Sequence, residues 1–174
     1  PGQQQYIYRT MLPLVSALAS VIAANAAEEV AAEPEDVDKF AADYTENLAR
    51  REAGSSRGQL LALIAEMPEE ELQDAITTRT DEWNEKRPGK VAADEIVRVA
   101  AGAARWMWTM AGMTYLVWRA GPNACPICKE MDGRRIGIKD YFLMPGESVG
   151  DLTAEVNVGG PPLHGGCECD IVPE

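Results

Sequence analysis

Residues 121–133 read GPNACPICKEMDG, and residues 161–170 read PPLHGGCECD. Between them these stretches hold all four cysteines and the single histidine of a 174-residue chain. Cys125-x-x-Cys128 is the spacing at which a turn presents two thiolates to one ion while its backbone N–H groups face the sulfurs. His164-x-x-Cys167-x-Cys169 adds three donors. Residues two apart in an extended segment face one side, and Gly165-Gly166 lets the chain bend between His164 and Cys167. Cys125, Cys128, His164, Cys167 and Cys169 are thus five candidate metal ligands for a site that takes four. Zn2+ is the ion this set suits, being tetrahedral and borderline-soft, and its role would be structural. Cys128 and Cys167 stand farther apart in sequence than the ligand pairs of a short zinc finger, so the pattern implies a metal staple and not a DNA-reading finger.

Other chemistries fit the same residues. Four cysteines could form two disulfides, although no feature of the sequence marks secretion and Cys-x-Cys pairs poorly with itself. Cys125-Pro126-Ile127-Cys128 could exchange thiols, but that motif belongs at the start of a helix after a strand, and here a long helix is expected before it. Hydrolysis at the metal would need an open coordination position and a base. Glu130, Asp132 and Glu168 are near enough in sequence to serve, and read more simply as solvated acids. With one histidine and no second titratable cluster, the chain carries no catalytic constellation, and no enzyme activity is expected.

Working outward, residues after Trp118 turn to Gly, Pro and short β-prone runs: RRIGI, YFL, AEVNV and CDIV. A small sheet with long connections is expected there, and a unit of that kind commonly needs a covalent or metal staple. The segment 132–162 looks too poor in large apolar side chains to order itself without the ion.

The preceding sequence reads as helices. Leu14, Leu18, Val21 and Ile22 recur at helical spacing over 14–30, with Pro13 in the first turn and Glu33-Pro34 as a break. Val37, Phe40, Tyr44 and Leu48 mark a second helix, predicted to stop at the GSSRG loop of 54–58. A short helix around Leu60, Leu61 and Ile64 should end at Met67-Pro68. Another bears Leu72, Ile76 and Trp83 and should close at Arg87-Pro88-Gly89. The longest is predicted over 91–118. The fold class expected is α+β, a helix-rich N-terminal half followed by a small zinc-stapled C-terminal α/β domain with short strands. Residues 1–80 would form a helical partner-binding region and residues 81–174 the metal-bearing domain.

Acidic residues number 28 against 16 basic, a formal net charge of −12. Such a surface repels nucleic-acid phosphates and anionic membranes unless basic groups cluster. Arg98, Arg105, Arg119, Arg134, Arg135 and Lys139 are the candidates for such a face and read as solvated. The apolar stretch 11–27 is interrupted by Pro13, Ser16, Ser20 and Asn25, and no membrane span is expected. The first residue is Pro1, consistent with a processed product or a piece of a longer polypeptide.

The residues EWNEKRPGKVAADE (82–95), Trp118, CPICKEMDG, IGIKDYF and PPLHGGCEC together resemble the Mu F-like phage head morphogenesis domain, the minor head protein family, over roughly 81–173. Where the family usually has Leu-Asp-Gly and Cys-Arg-Cys, this chain has Met131-Asp132-Gly133 and Cys167-Glu168-Cys169, and the acid at 168 argues against a turn that grips nucleic acid. The resemblance implies a virion component inside the head, near the portal vertex, that aids head assembly, DNA packaging or genome ejection. It further implies the portal and other head proteins as partners, a homo-oligomer around the portal, and at most weak contact with packaged DNA. A zinc-dependent nucleic-acid-binding module and a small zinc or thiol enzyme are the alternative readings.

Overall fold

Three long helices dominate the chain: α1 over Gly2–Glu29, α2 over Asp38–Glu66 and α3 over Glu69–Met110. They come from a computed structural model, which describes residues 2–174. Short elements follow: strand β1 (Tyr115–Arg119), helix α4 (Pro126–Met131), and strands β2 (Arg135–Gly137), β3 (Ser148–Val149), β4 (Leu152–Thr153) and β5 (Asp170–Pro173). The fold is therefore α+β, helix-rich at its start and with short strands at its end. The chain packs as two units, one of residues 1–16 with 38–92, the other of 17–37 with 93–174. The expected division at 80/81 falls inside α3.

In the first unit, α2 and α3 form an antiparallel helical hairpin about Met67-Pro68. Three acids, Glu69, Glu70 and Glu71, sit in the first turn of α3, where they favour the helix dipole. The predicted loop at 54–58 and the predicted stop at 87–89 are both absent, since α2 and α3 run through them. The reason is tertiary. Arg87 pairs with Glu52 at 2.9 Å and donates to Ser56 Oγ at 2.9 Å, while Arg79 and the Trp83 indole both donate to Gln59 Oε1. Ser56 is buried, and its hydroxyl also donates to Glu52 O. Gly54 and Gly58 face open space, so it is the buried Ser56 and the polar clamps that offset the low helix propensity of Gly and Pro. Leu48 is buried in this unit with Ala41, Thr45 and Ala49, while Phe40 and Tyr44 of the same stripe are half-buried, their ring centroids 5.7 Å apart.

By length and composition α1 could cross a membrane: an 18-residue window has a mean hydropathy of 1.6, a stronger signal than the interrupted stretch 11–27 suggested. Core helices of soluble proteins share that length and hydropathy. Pro13 lies inside this helix and not in its first turn, because α1 begins at Gly2.

In the second unit Ala19, Ala23, Ala26 and Ala27 of α1 are buried, and the Trp108 indole donates to Ala26 O at 3.1 Å. Helix α3 was expected to reach Trp118. It stops at Met110 because Gly112 adopts φ +82°, with Met113 N–H bonded to Trp108 O and Gly112 N–H to Thr109 O. Freed by that cap, Tyr115-Leu-Val-Trp-Arg119 becomes the central strand of an antiparallel sheet ordered β2-β1-β5. Leu116 faces Ile136 and Pro173, and Trp118 faces Ile171. RRIGI and CDIV supply β2 and β5 as expected. YFL and AEVNV form no extended strand and pair only at the bridge Leu143–Val158, while the hairpin β3–β4 was not expected.

The core of this unit is Trp118, Phe142, Leu116, Met131, Leu143, Ile171 and Met107, all fully buried. Trp118 and Phe142 meet edge to face, with ring centroids 5.1 Å apart. The Arg105 guanidinium, from α3, donates to three carbonyls: Ile138 O at 2.9 Å, Asp140 O at 2.7 Å and Gly159 O at 2.7 Å. The segment 132–162 is therefore held by Phe142, Leu143 and this arginine fork, against the expectation that it lacked anchors of its own. Burial lowers the Arg105 pKa, opposed by the negative potential of Tyr141 and Asp140. Arg105 is thus a structural clamp and not part of a solvated basic face.

Candidate metal centre

Strand pairing brings the two cysteine loops together. In the antiparallel β1–β5 register Arg119 lies opposite Asp170, so the loop leaving β1 and the loop entering β5 start from the same sheet end. The first carries Cys125 and Cys128, the second His164, Cys167 and Cys169. Gly121 is the point of closest approach. A Cβ there would lie 2.4 Å from Glu168 O, so no other residue fits without moving backbone. Ala120 N–H bonds Asp132 Oδ1 at 2.9 Å, which fastens the base of the first loop.

All five sequence-predicted donors converge. Cys125, Cys128 and His164 form one group, and Cys128, Cys167 and Cys169 another; within each group the ligand atoms lie within 4.8 Å of one another. Cys128, fully buried, belongs to both. Cys128 Sγ and Cys167 Sγ are 3.7 Å apart. A tetrahedral ion bound by sulfur at about 2.3 Å sets its thiolates about 3.8 Å apart, so this pair already spans one edge. His164 Nε2 lies 3.2 Å from Cys125 Sγ and 3.1 Å from Cys128 Sγ. Both are hydrogen-bond distances shared by one ring nitrogen, somewhat shorter than the nitrogen–sulfur edge of about 3.5 Å around such an ion. The donor set is soft, compact and compatible with a bound metal.

The tautomer of His164 follows from its neighbours. Nδ1 is 3.0 Å from Gly165 O, and a carbonyl only accepts, so Nδ1 carries the hydrogen and Nε2 faces the sulfurs. That bond to Gly165 raises the His164 pKa, against burial and with help from Cys125. The thiols divide. Cys125 caps the N-terminus of α4, and the Cys128 N–H bonded to its sulfur lowers its pKa to about 7, despite partial desolvation. Burial pushes the Cys128 thiol well up, reinforced by Cys169 and Cys167. At Cys167 burial acts upward, but backbone hydrogen bonds at Leu163 and Cys169 outweigh it and the pKa falls. A cation at this point would relieve the crowding of sulfurs around Cys128.

Two sequence expectations about neighbours change. Cys125-x-x-Cys128 does follow a strand and open a helix, because α3 ends early and β1 intervenes; the helix has six residues and the sheet is antiparallel. Of the acids weighed as a base, Asp132 is engaged with Ala120 N–H and Glu130 accepts from Gly150 N–H at 3.2 Å, so both have structural roles. The four cysteines form no disulfide. Sequence reasoning missed Asp94 and Gly121. Asp94 accepts from Gly166 N–H at 3.1 Å, and nothing in its spacing from the cysteines, 72 residues before Gly166, pointed to it.

No protein-family model, curated protein or solved structure matches this chain.

Proposed function

We propose that the chain is a structural minor head protein of the Mu F-like kind, with a zinc ion stapling its C-terminal unit. The observation that supports this reading best is the convergence of Cys125 and Cys128 with His164, Cys167 and Cys169, the residues that carry the resemblance. Zinc fits because the donors are thiolates and one imidazole whose Nδ1–H is held by a carbonyl. When bound, the ion supplies a cross-link between the loop after β1 and the loop before β5. Charge favours His164 with Cys125, Cys128 and Cys167, since three thiolates around a dication leave less negative charge than four in an acidic domain.

As a head component the protein acts through surfaces and not through turnover. Tyr6, Leu14 and Val21 are exposed apolar residues of α1, at 69%, 61% and 59%, and such side chains favour a protein partner. The partner in this reading is the portal, inside the head at its vertex. Leu14→Glu and Val21→Glu should abolish co-purification with the portal protein of the same particle while the circular dichroism stays unchanged. Full retention of the portal by both variants would remove this surface from the proposal. Zinc measured by elemental analysis near one per chain is the expected result for the site.

One observation favours a second reading, thiol exchange: the accessible Cys125 has a lowered pKa beside the buried Cys128. Formation of a Cys125–Cys128 disulfide in a metal-free native protein by exchange with an added small-molecule disulfide, which is reduced to its two thiols, and its reversal by a dithiol would support it over the staple.

A further inference from the structure

We propose that Asp94, on α3, is a positioning residue for the metal site, and that it sets the turn from which two of the ligands project. This inference rests on the metal reading of the five donors. Residues 164–167 form a turn closed by the Cys167 N–H to His164 O bond at 3.1 Å. Gly166 occupies its third position with φ +75°, the left-handed conformation that glycine tolerates in such turns. His164 and Cys167 are the first and last residues of this turn, so its tilt aims both the imidazole and the thiolate. The Gly166 N–H is not used by the turn's own closing bond. Asp94 Oδ1 accepts it at 3.1 Å, and Asp94 Oδ2 lies where a Cβ on Gly165 would come within 3.7 Å.

Asp94 therefore grips the central peptide of the turn from a helix buried at the adjoining Glu95 and at Val99. The carboxylate touches neither sulfur nor imidazole. It holds the backbone that carries them, the outer-shell function that commonly governs metal affinity. Its negative charge contributes nothing favourable beside several thiolates, so the hydrogen bond is the operative feature. Asn at 94 keeps an acceptor oxygen and removes the charge, which separates the two effects.

The full chain, its D94A and D94N variants are titrated with Zn2+ against a chromophoric chelator and with Co2+ followed by absorption. D94A is expected to lose roughly 10- to 100-fold in affinity for both ions, and D94N to recover most of that loss. The Co2+ band energies should be the same in all three proteins, because the ligands are unchanged. Unaltered affinity in D94A would overturn the role of Asp94 while leaving the metal site intact, and so would a D94N as weak as D94A. A wild-type protein that binds neither ion would overturn the metal reading, and this inference with it. Should D94A not fold, hydrogen exchange of the metal-loaded wild type decides: a protected Gly166 amide supports the proposal, and exchange at the rate of an open amide overturns it.

Discussion

The α2–α3 hairpin and the unit built on β1 are held together by different means. The hairpin buries small residues, Ala41, Thr45, Ala49 and Ser56, around Leu48, and closes with polar clamps from Arg79, Trp83 and Arg87. It leaves Leu61 and Ile64 about half exposed. The β1 unit buries Trp118, Phe142, Met107, Met131 and Leu143 and gathers four cysteines and a histidine that could hold a metal at one sheet end. The first depends on helix-to-helix hydrogen bonds whose geometry tolerates glycine and proline. The second depends on close packing of large side chains and holds a Cys/His cluster compatible with a bound metal. Perturbations aimed at one mechanism should leave the other unit standing.

The largest effect is expected at the metal centre. Cys128→Ser removes the thiol shared by both donor groups, and metal-coupled folding can be worth on the order of 10 kcal/mol at neutral pH. Bound zinc should fall to background and limited proteolysis should open the loops around 120–128 and 163–169. The segment 138–160 should stay protected by Phe142 and Arg105. Zinc retained near one per chain would show that these cysteines are not the staple.

Next in size, Phe142→Ala deletes a fully buried ring packed on Trp118 and should cost about 3–5 kcal/mol. Denaturant unfolding followed by Trp fluorescence measures it. A loss under about 1 kcal/mol would mean that the site collapses around the void.

Arg87→Ala sharpens the comparison from the other side. It removes the partner of Glu52 and a donor to the buried Ser56, both partly shielded from water, at about 1–3 kcal/mol. Hydrogen exchange should quicken across 54–58, and metal content should not change. Unaltered exchange there would assign the helicity of GSSRG to something other than the clamp.

The smallest effect is a pH dependence. Partial desolvation of the exposed Glu29 carboxyl raises its pKa, with Asp170 adding to it. Because the folded value lies above the unfolded one, stability is fullest below the unfolded value of 4.5 and declines as pH rises through the folded value. Glu29→Gln should remove this decline, gaining a few tenths of a kcal/mol near neutrality and nothing at pH 3, since the side chain is largely exposed. Equal thermal midpoints for both proteins from pH 3 to 7 would refute the shift.

Residue types and spacing alone determined the helical character of the first half, the short strands at 135–137 and 170–173, and which five side chains are the candidate donors. Those follow from local rules: apolar period, β-branched runs, and the few side chains able to ligate a soft ion. Tertiary structure decided the rest. GSSRG and RPG read as breaks because Gly and Pro disfavour helices by propensity, yet interhelical bonds from Arg87, Trp83 and Arg79 outweigh that preference. Residues 115–119 read as helix because the apolar period ran on from α3, and only the cap at Gly112 with pairing partners at 135–137 and 170–173 turns them into a strand. The β1–β5 register, fixed by Leu116 and Trp118 packing into the core, then brings Cys125 and Cys128 to His164 and Cys167, and lets Asp94 reach Gly166 across 72 positions of sequence. A long-range contact of that kind leaves no periodic trace in a sequence, because the chain between its ends is free to be of any pattern that folds.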